Sequence, residues 1–575
     1  MKCRIEPHTI TSKVGVLSTK RFELLAQTGV VLAGLRCAIA GRNLAVGSDG
    51  LAYLDVARAY LRHDWSLAVN GYWGPLYPWL LAVALRILHP SDAYEFATVQ
   101  AVNFLIFLLC LYAFHKFWYS VADWNRQHKG DGTSLPDAYP LGWLFLGYTL
   151  FLVKVTWFVN AVAPDVLVAS VVLLIANQVL EIDRCKRVTD YVVLGLLLAL
   201  GFYAKAILFY FGFFTLLAVT IRDFRLRNYR GPIFAGLICT LLISPYVVAL
   251  SRTLGHFTVG ETGRLNYAWF VDGAETGGWP DGRASFPFFP GPAVVDTPRV
   301  FLIPRLEGAT YAPWYDAARF DRHSRAVFNI RGEIRQLLTN LKVLKEELIV
   351  THCALLVSLI ILVSGAPRVF FRRFATAWMC AVPAVMIIGM YLLVHLVDRF
   401  MIGFLFVLWG ITFSCVFVPV NSESLARRAL LAGILVFAAY SLPGIVHYLF
   451  LPAENQIERD LLIAKAIAEH GIRAGDAVAL IGDGQTAYWA HWARASVAAE
   501  ISSLDSPVFW SASFESQWSA VRSMRALGAK AVIWRRDSDR PCPQGWTELP
   551  QNSGCIIALN PPDLARTSEA AANHR

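Results

Sequence analysis

Long apolar blocks alternate with short polar stretches along most of the chain, and that alternation sets its architecture. Blocks near 24–41, 95–115, 139–158, 164–182, 190–204, 206–221, 231–250, 347–365, 374–396, 400–419 and 429–449 each approach the roughly 20 residues that cross a hydrocarbon layer. They predict about eleven membrane-spanning helices. The first block follows Lys2, Arg4, Lys13, Lys20 and Arg21 and leads into further spans, so it reads as an uncleaved anchor. Between blocks, Leu51, Leu54, Ala57 and Leu61 recur at helical spacing within 49–63 and predict an amphipathic helix along the membrane surface. The stretch 73–89 (WGPLYPWLLAVALRILH) is apolar, short and broken by proline, and predicts an interfacial or re-entrant helix. The pattern changes after 449. Helix-like runs at 455–471 and 513–527 alternate with β-like runs at 476–482 and 529–534, predicting a small α/β domain over 450–575. Within it, Gly482-Asp483-Gly484 lacks the full glycine fingerprint of a nucleotide site and reads as a tight strand-to-helix turn.

Composition agrees with the membrane reading. The 575 residues are 56% hydrophobic and only 16% charged, with a mean hydropathy of +0.47, which excludes a disordered chain, a fibrous repeat and a soluble enzyme. The net charge of +10 reflects basic clusters between apolar blocks rather than a nucleic-acid surface. With the N-terminus inside, the inner segments carry 20 Lys and Arg, whereas the short outer turns carry only Lys205 and Arg399. That bias predicts an N-inside, C-outside protein. Segments 42–94, 251–344 and the 450–575 tail then face outward. In 273–313, 13 of 41 residues are Gly or Pro, so regular structure is not expected there. Trp269, Phe270, Trp279, Phe286, Phe288, Phe289, Tyr311, Trp314 and Tyr315 are interleaved through this segment, which has the length and character of a binding loop or lid. The ten cysteines show no metal-binding spacing; Cys542 and Cys555 lie in the polar tail, where a disulfide requires an oxidising compartment.

Ionisable groups at membrane depth are expensive and call for a reason. Asp49, Asp55, Asp165, Lys205, His395, Asp398 and Arg399 all fall at predicted outer ends, from five separate places in the sequence. Acids and bases converging on one pocket are what group transfer requires. Each also has a structural use. Ser48-Asp49 suits a helix cap, Asp165 after Pro164 suits a helix start, and Lys205 and Arg399 suit snorkelling to headgroups. His395 taken alone suits a polar interface, and Lys154 suits either snorkelling or a cavity wall.

The motifs at these positions resemble a GT-C superfamily glycosyltransferase of the lipid A aminoarabinose transferase and protein O-mannosyltransferase branch. The resemblance rests on Ser48-Asp49, Tyr53, Ala57-Arg58, the Gly74-Pro75-Leu76-Tyr77-Pro78 run, Pro164-Asp165, Ala204-Lys205-Ala206 and His395 through Arg399-Phe400. Both neighbours of Lys205 differ from the family pattern, and Phe400 replaces a Tyr. GRLNYAW (263–269) and AYWAHWARASVAAE (487–500) resemble an uncharacterised bacterial branch.

The resemblance implies an inverting transfer of a sugar from a polyprenyl-phosphate donor to a hydroxyl of an envelope glycolipid, polysaccharide or protein, at the outer face of a bacterial inner membrane. Asp49 is the expected general base, with Asp165 positioning it or the substrate. Lys205 and Arg399 are expected on the donor phosphate, and Tyr53, Asp55, Arg58, Tyr77 and His395 on the substrates. No cofactor and no soluble nucleotide sugar is expected, since the lipid brings the donor to the membrane; Asp49 and Asp55 are the acids a divalent metal would use, but none is predicted because their six-residue spacing puts them on different faces of a helix. The competing readings are a transporter or flippase, against which no internal repeat is visible, and a scaffold whose tail binds an envelope protein.

Overall fold

Every apolar block forms a helix, because backbone groups in hydrocarbon must satisfy their hydrogen bonds within the segment. A computed structural model describes residues 13–43, 48–127, 133–185, 187–273, 293–321, 324–419, 423–450, 456–536 and 540–559. The helices of the bundle are α1 (Lys13–Gly41), α2 (Asp49–Leu61), α3 (Leu76–Leu88), α4 (Glu95–Gln127), α5 (Pro140–Val155), α6 (Asp165–Cys185), α7 (Val188–Ala204), α8 (Ile207–Arg225) and α9 (Arg230–Leu254). After the long intervening segment come α10 (Ile330–Lys345), α11 (Cys353–Ser364), α12 (Pro367–Thr376), α13 (Trp378–Leu393), α14 (Asp398–Ser414) and α15 (Glu423–Phe450).

The expected count of about eleven spans needs correction. Among the described residues, seven helices are long and apolar enough to cross a membrane, or nine if α10–α11 and α12–α13 each act as one span. Those two pairs bend by 70° and 84°. Helix α7 has only 17 residues, about 25 Å of rise against roughly 30 Å of hydrocarbon; α14 is equally short. Apolarity made these blocks legible, but it does not measure where a helix breaks.

Helices α4 and α6 form the spine of the bundle. Phe114, Phe117 and Trp118 of α4 are buried there, and Trp118 stacks on Trp143 of α5 at 4.1 Å. A side chain at Gly147 would meet the Trp118 ring at 2.6 Å, so glycine permits this close packing. At the end of the bundle remote from the C-terminal domain, Arg222 joins Asp183 and Asp223, and Tyr191 donates to Asp223, tying α6, α7 and α8 together.

The C-terminal region contains α16 (Gln456–Glu469), α17 (Tyr488–Trp492) and α18 (Phe514–Ala526). Its sheet uses β1 (Ala293–Asp296), β2 (Arg299–Leu302), β3 (Ala477–Ile481), β4 (Ser496–Ile501), β5 (Ala531–Arg535), β6 (Thr547–Glu548) and β7 (Gly554–Ala558), in the order β1-β2-β4-β3-β5-β7-β6. The central β4, β3 and β5 are parallel and buried almost throughout, as their near-continuous apolar sequences require. Gly482, at φ 137°, starts the turn that leaves β3, in keeping with the expected strand-to-helix turn. Cys542 and Cys555 are disulfide-bonded.

Two further expectations are overturned. Regular structure does occur in 273–313: β1 and β2 form a hairpin, and β2 pairs antiparallel with β4 through Phe301↔Glu500 and Leu302↔Ala499. The extended strand pair is stabilised by a sheet edge that the local Gly/Pro count does not reveal. Trp279, Phe286, Phe288 and Phe289 lie outside the described residues. The second correction concerns α2, expected on the membrane surface. Nine of its 13 residues are buried, because α3, the 310–315 segment and the C-terminal domain cover its apolar and polar faces alike. Helix α3, at 13 residues, is too short to span, as expected of an interfacial or re-entrant element.

Candidate active site

Four helix ends meet where the bundle joins the C-terminal domain. Asp49 is the first residue of α2 and Asp165 the first of α6, positions at which the helix dipole favours a carboxylate. Lys205 breaks the chain between α7 and α8 with an extended backbone (φ −163°). Arg399 is the second residue of α14. Arg399 Nη2 lies 2.9 Å from Asp49 Oδ2, and its Nε lies 3.5 Å from Asp165 Oδ2. Lys205 Nζ donates to Asp165 Oδ1 at 2.7 Å. Acids and cations therefore alternate along one chain: Asp49, Arg399, Asp165, Lys205.

This geometry bears on the uses left open by the sequence. Ser48 makes no side-chain cap bond, so the Ser48-Asp49 pair is not spent on capping through that hydroxyl. Lys205 and Arg399 turn toward acids rather than away to lipid. The Asp165 side chain is only 5% exposed, whereas Asp49 keeps 16%, Lys205 22% and Arg399 26%. Asp165 is thus the buried anchor of the cluster and the other three are its reachable face.

Phe400 completes the site. Lys205 Nζ sits 3.8 Å from its ring centroid and the Arg399 guanidinium 5.4 Å, so one aromatic ring lies within cation–π range of both cations. His395 stacks flat on Phe270 at 4.0 Å and meets Phe400 edge-on at 6.3 Å; it forms a wall of the site. Tyr53 packs against Trp73 at 4.9 Å and Tyr77 at 5.3 Å. Tyr77 donates to Asn103 at 2.7 Å. Trp73 in turn donates to the Trp314 carbonyl, which fastens the aromatic segment expected as a lid onto the 70–73 turn.

No family model matches the sequence, and no curated protein matches it. Solved structures do. The chain is similar to ArnT from Cupriavidus metallidurans bound to undecaprenyl phosphate, at 12% identity over 96% of this chain and 99% of that one, with a TM-score of 0.44. The same ArnT in the apo state gives 14% identity over 93% and 98%, with a TM-score of 0.41. The Archaeoglobus fulgidus oligosaccharyltransferase in the apo form gives 11% identity over 89% of this chain and 69% of that one, with a TM-score of 0.45.

Asp55 and Arg58 belong to a second cluster. Six residues along a helix from Asp49, about 9 Å and 120° round the axis, Asp55 points to another neighbourhood. Its carboxylate accepts from the Thr310 backbone N–H at 2.7 Å and faces His491 Nδ1 at 2.6 Å. His491 Nε2 lies 3.3 Å from Glu95. Arg58 forks onto both Glu95 oxygens at 3.0 Å and onto the His491 carbonyl at 2.8 Å; Trp492 also donates to Glu95 at 2.8 Å. Burial and the Arg58 charge lower the proton affinity of His491, but the Glu95 and Asp55 carboxylates overcome them and raise its pKa above the usual imidazole value. Protonated, the ring donates to both acids. The structure thus groups Asp49, Asp165, Lys205 and Arg399, lines them with His395, Tyr53 and Tyr77, and sets Asp55 and Arg58 in the joint with the C-terminal domain.

Sequence reasoning passed over Phe400 as a support for cations, and over Glu95 and His491. Glu95 carried the faint signal of an acid at a helix start; His491 sat inside the 487–500 motif without a visible partner. Lys154 neither snorkels nor stands alone, since it pairs with Glu347. Among the described residues, no group of three or more His, Cys, Asp and Glu is arranged to hold a metal ion.

Proposed function

We propose that this chain transfers a sugar from a polyprenyl-phosphate donor to a hydroxyl acceptor at the outer face of the bacterial inner membrane, with inversion and with Asp49 as general base. The observation that carries the reading is the alternation of two carboxylates and two cations drawn from the ends of four helices, with Asp49, Arg399 and Lys205 reachable. The donor's phosphate competes with the acids for Arg399 and Lys205. Its arrival releases the Asp49 oxygen to take the proton of the acceptor hydroxyl, an assistance worth about 10²–10⁴-fold. The acceptor oxygen forms its bond to the anomeric carbon from the face opposite the phosphate. The bond to the phosphate oxygen breaks with its electron pair, and the two fixed cations hold the charge that develops. Asp165, buried and bonded to both cations, positions them.

Orientation with this site outward is supported by the basic inner segments and by the Cys542–Cys555 bond, which needs an oxidising compartment. The test is a deletion strain complemented at matched expression with wild type or Asp49→Asn, followed by mass spectrometry of envelope lipids, polysaccharide and proteins. Wild type is expected to restore a sugar mass that the Asn variant does not. Full restoration by Asn would remove Asp49 as base and favour transport over transfer.

A further inference from the structure

A cavity of about 830 Å³ lies on the far side of α2 from Asp49, bounded by the turn from α3 to α4, the 305–310 segment and the domain residues around Gly475 and His491. Its floor is the His491 cluster, where Asp55 and Glu95 are already engaged. Above the floor stand three arginines. Arg62 donates to the Gly308 carbonyl at 3.3 Å, and Arg305 to the Ser496 hydroxyl and the Gly475 carbonyl, both at 3.0 Å. Arg494 is exposed and has no partner among the described residues. None of the three is within ion-pair distance of a carboxylate among those residues, although Asp92 and Glu307 line the same cavity and are themselves unpaired there. Neutral partners thus orient two of the guanidinium forks without cancelling their charge.

We infer that this cavity binds a saccharide bearing a carboxylate or phosphate. The lining calls for both halves of such a ligand. Arginine forks take an acid group bidentately, and Asp92 and Glu307 are acceptors for ring hydroxyls. An inorganic anion alone would meet Asp92 and Glu307 with like charge; a neutral sugar would leave three guanidinium groups unused. The volume falls within the 300–1,000 Å³ typical of small-ligand pockets. The site is separate from the Asp49 cluster and does not depend on the chemistry proposed there.

The experiment measures binding to the full chain in nanodiscs by calorimetry, with glucuronate, glucose 6-phosphate, glucose and inorganic phosphate as probes. Glucuronate or glucose 6-phosphate is expected to bind at least about tenfold more tightly than glucose or phosphate, and the stronger of the two identifies the acid group. Arg62→Ala and Arg494→Asn are each expected to weaken that binding about tenfold, the scale of one lost charge-assisted hydrogen bond. Asparagine is chosen at 494 because it tolerates the left-handed backbone there (φ 54°); unchanged melting temperatures certify both folds. Asp49→Asn is expected to leave the binding intact. Equal binding of glucose or phosphate, no binding of any probe, or a loss with Asp49→Asn but not with Arg494→Asn would overturn the assignment.

Discussion

Arg399 is the residue on which the candidate site turns, since among the described residues it is the cation within ion-pair distance of both Asp49 and Asp165. A lysine there keeps the charge but not the fork that reaches two acids. Arg399→Lys is therefore expected to lower kcat and kcat/KM together by about 10–100-fold, the pattern of an interaction strengthened in the transition state, as read by steady-state transfer assays in detergent. Asp49, Asp165, Lys205 and Arg399 were legible in the sequence because charge at membrane depth is rare enough to stand out. His491 was not. Its partners Asp55 and Glu95 are 436 and 396 residues away, and no local pattern announces a contact of that range. Phe400 was noticed only as a departure from a motif; its service to Lys205 and Arg399 together is visible only when two helix ends meet.

At the scale of elements, the joint between α2 and the C-terminal domain carries its own predictions. His491→Ala leaves Asp55 and Glu95 buried without their shared donor and is expected to cost about 3–5 kcal/mol, measured by thermal or denaturant unfolding. Since the folded pKa of His491 is raised, its contribution is complete below the ordinary value of 6.5 and is lost as pH rises through the higher folded value. Strand β4 adds a second titration. Burial, with Asp483 nearby, pushes Glu500 up to about 8 from an ordinary 4.5. The stability associated with protonated Glu500 is full below 4.5 and is lost as pH rises through about 8. Melting curves of Glu500→Gln are expected to lack this decline. The helices of the bundle and the parallel strands were readable from periodicity, whereas the burial of α2 was not. Amphipathic spacing gives the same signal whether the polar face meets water or, as here, a second layer of protein carrying His491 and Thr310.

For the molecule as a whole, the expected arrangement puts the C-terminal domain outside. A single cysteine introduced at the exposed Glu469 is expected to react with a membrane-impermeant maleimide on intact inner-membrane spheroplasts. Reaction only after the membrane is opened would reverse the orientation and with it the face on which Asp49 acts. A composition shift near 450 sets the C-terminal domain apart from the apolar blocks in the sequence. What composition did not convey is that the sheet of that domain is shared with a segment lying between two spans. Phe301 pairs with Glu500, so the β1–β2 hairpin leaves the ribosome roughly 200 residues ahead of its partner strand. At about 5–20 residues per second, that is a wait of roughly 10–40 s, during which the α10–α11 and α12–α13 pairs, α14 and α15 are still to be made. The hairpin must spend that interval outside the membrane with its pairing edge open. Its biogenesis is therefore a problem of timing, in which slower elongation past 302 lengthens the exposure and a chaperone that masks a strand edge on that side of the membrane shortens it.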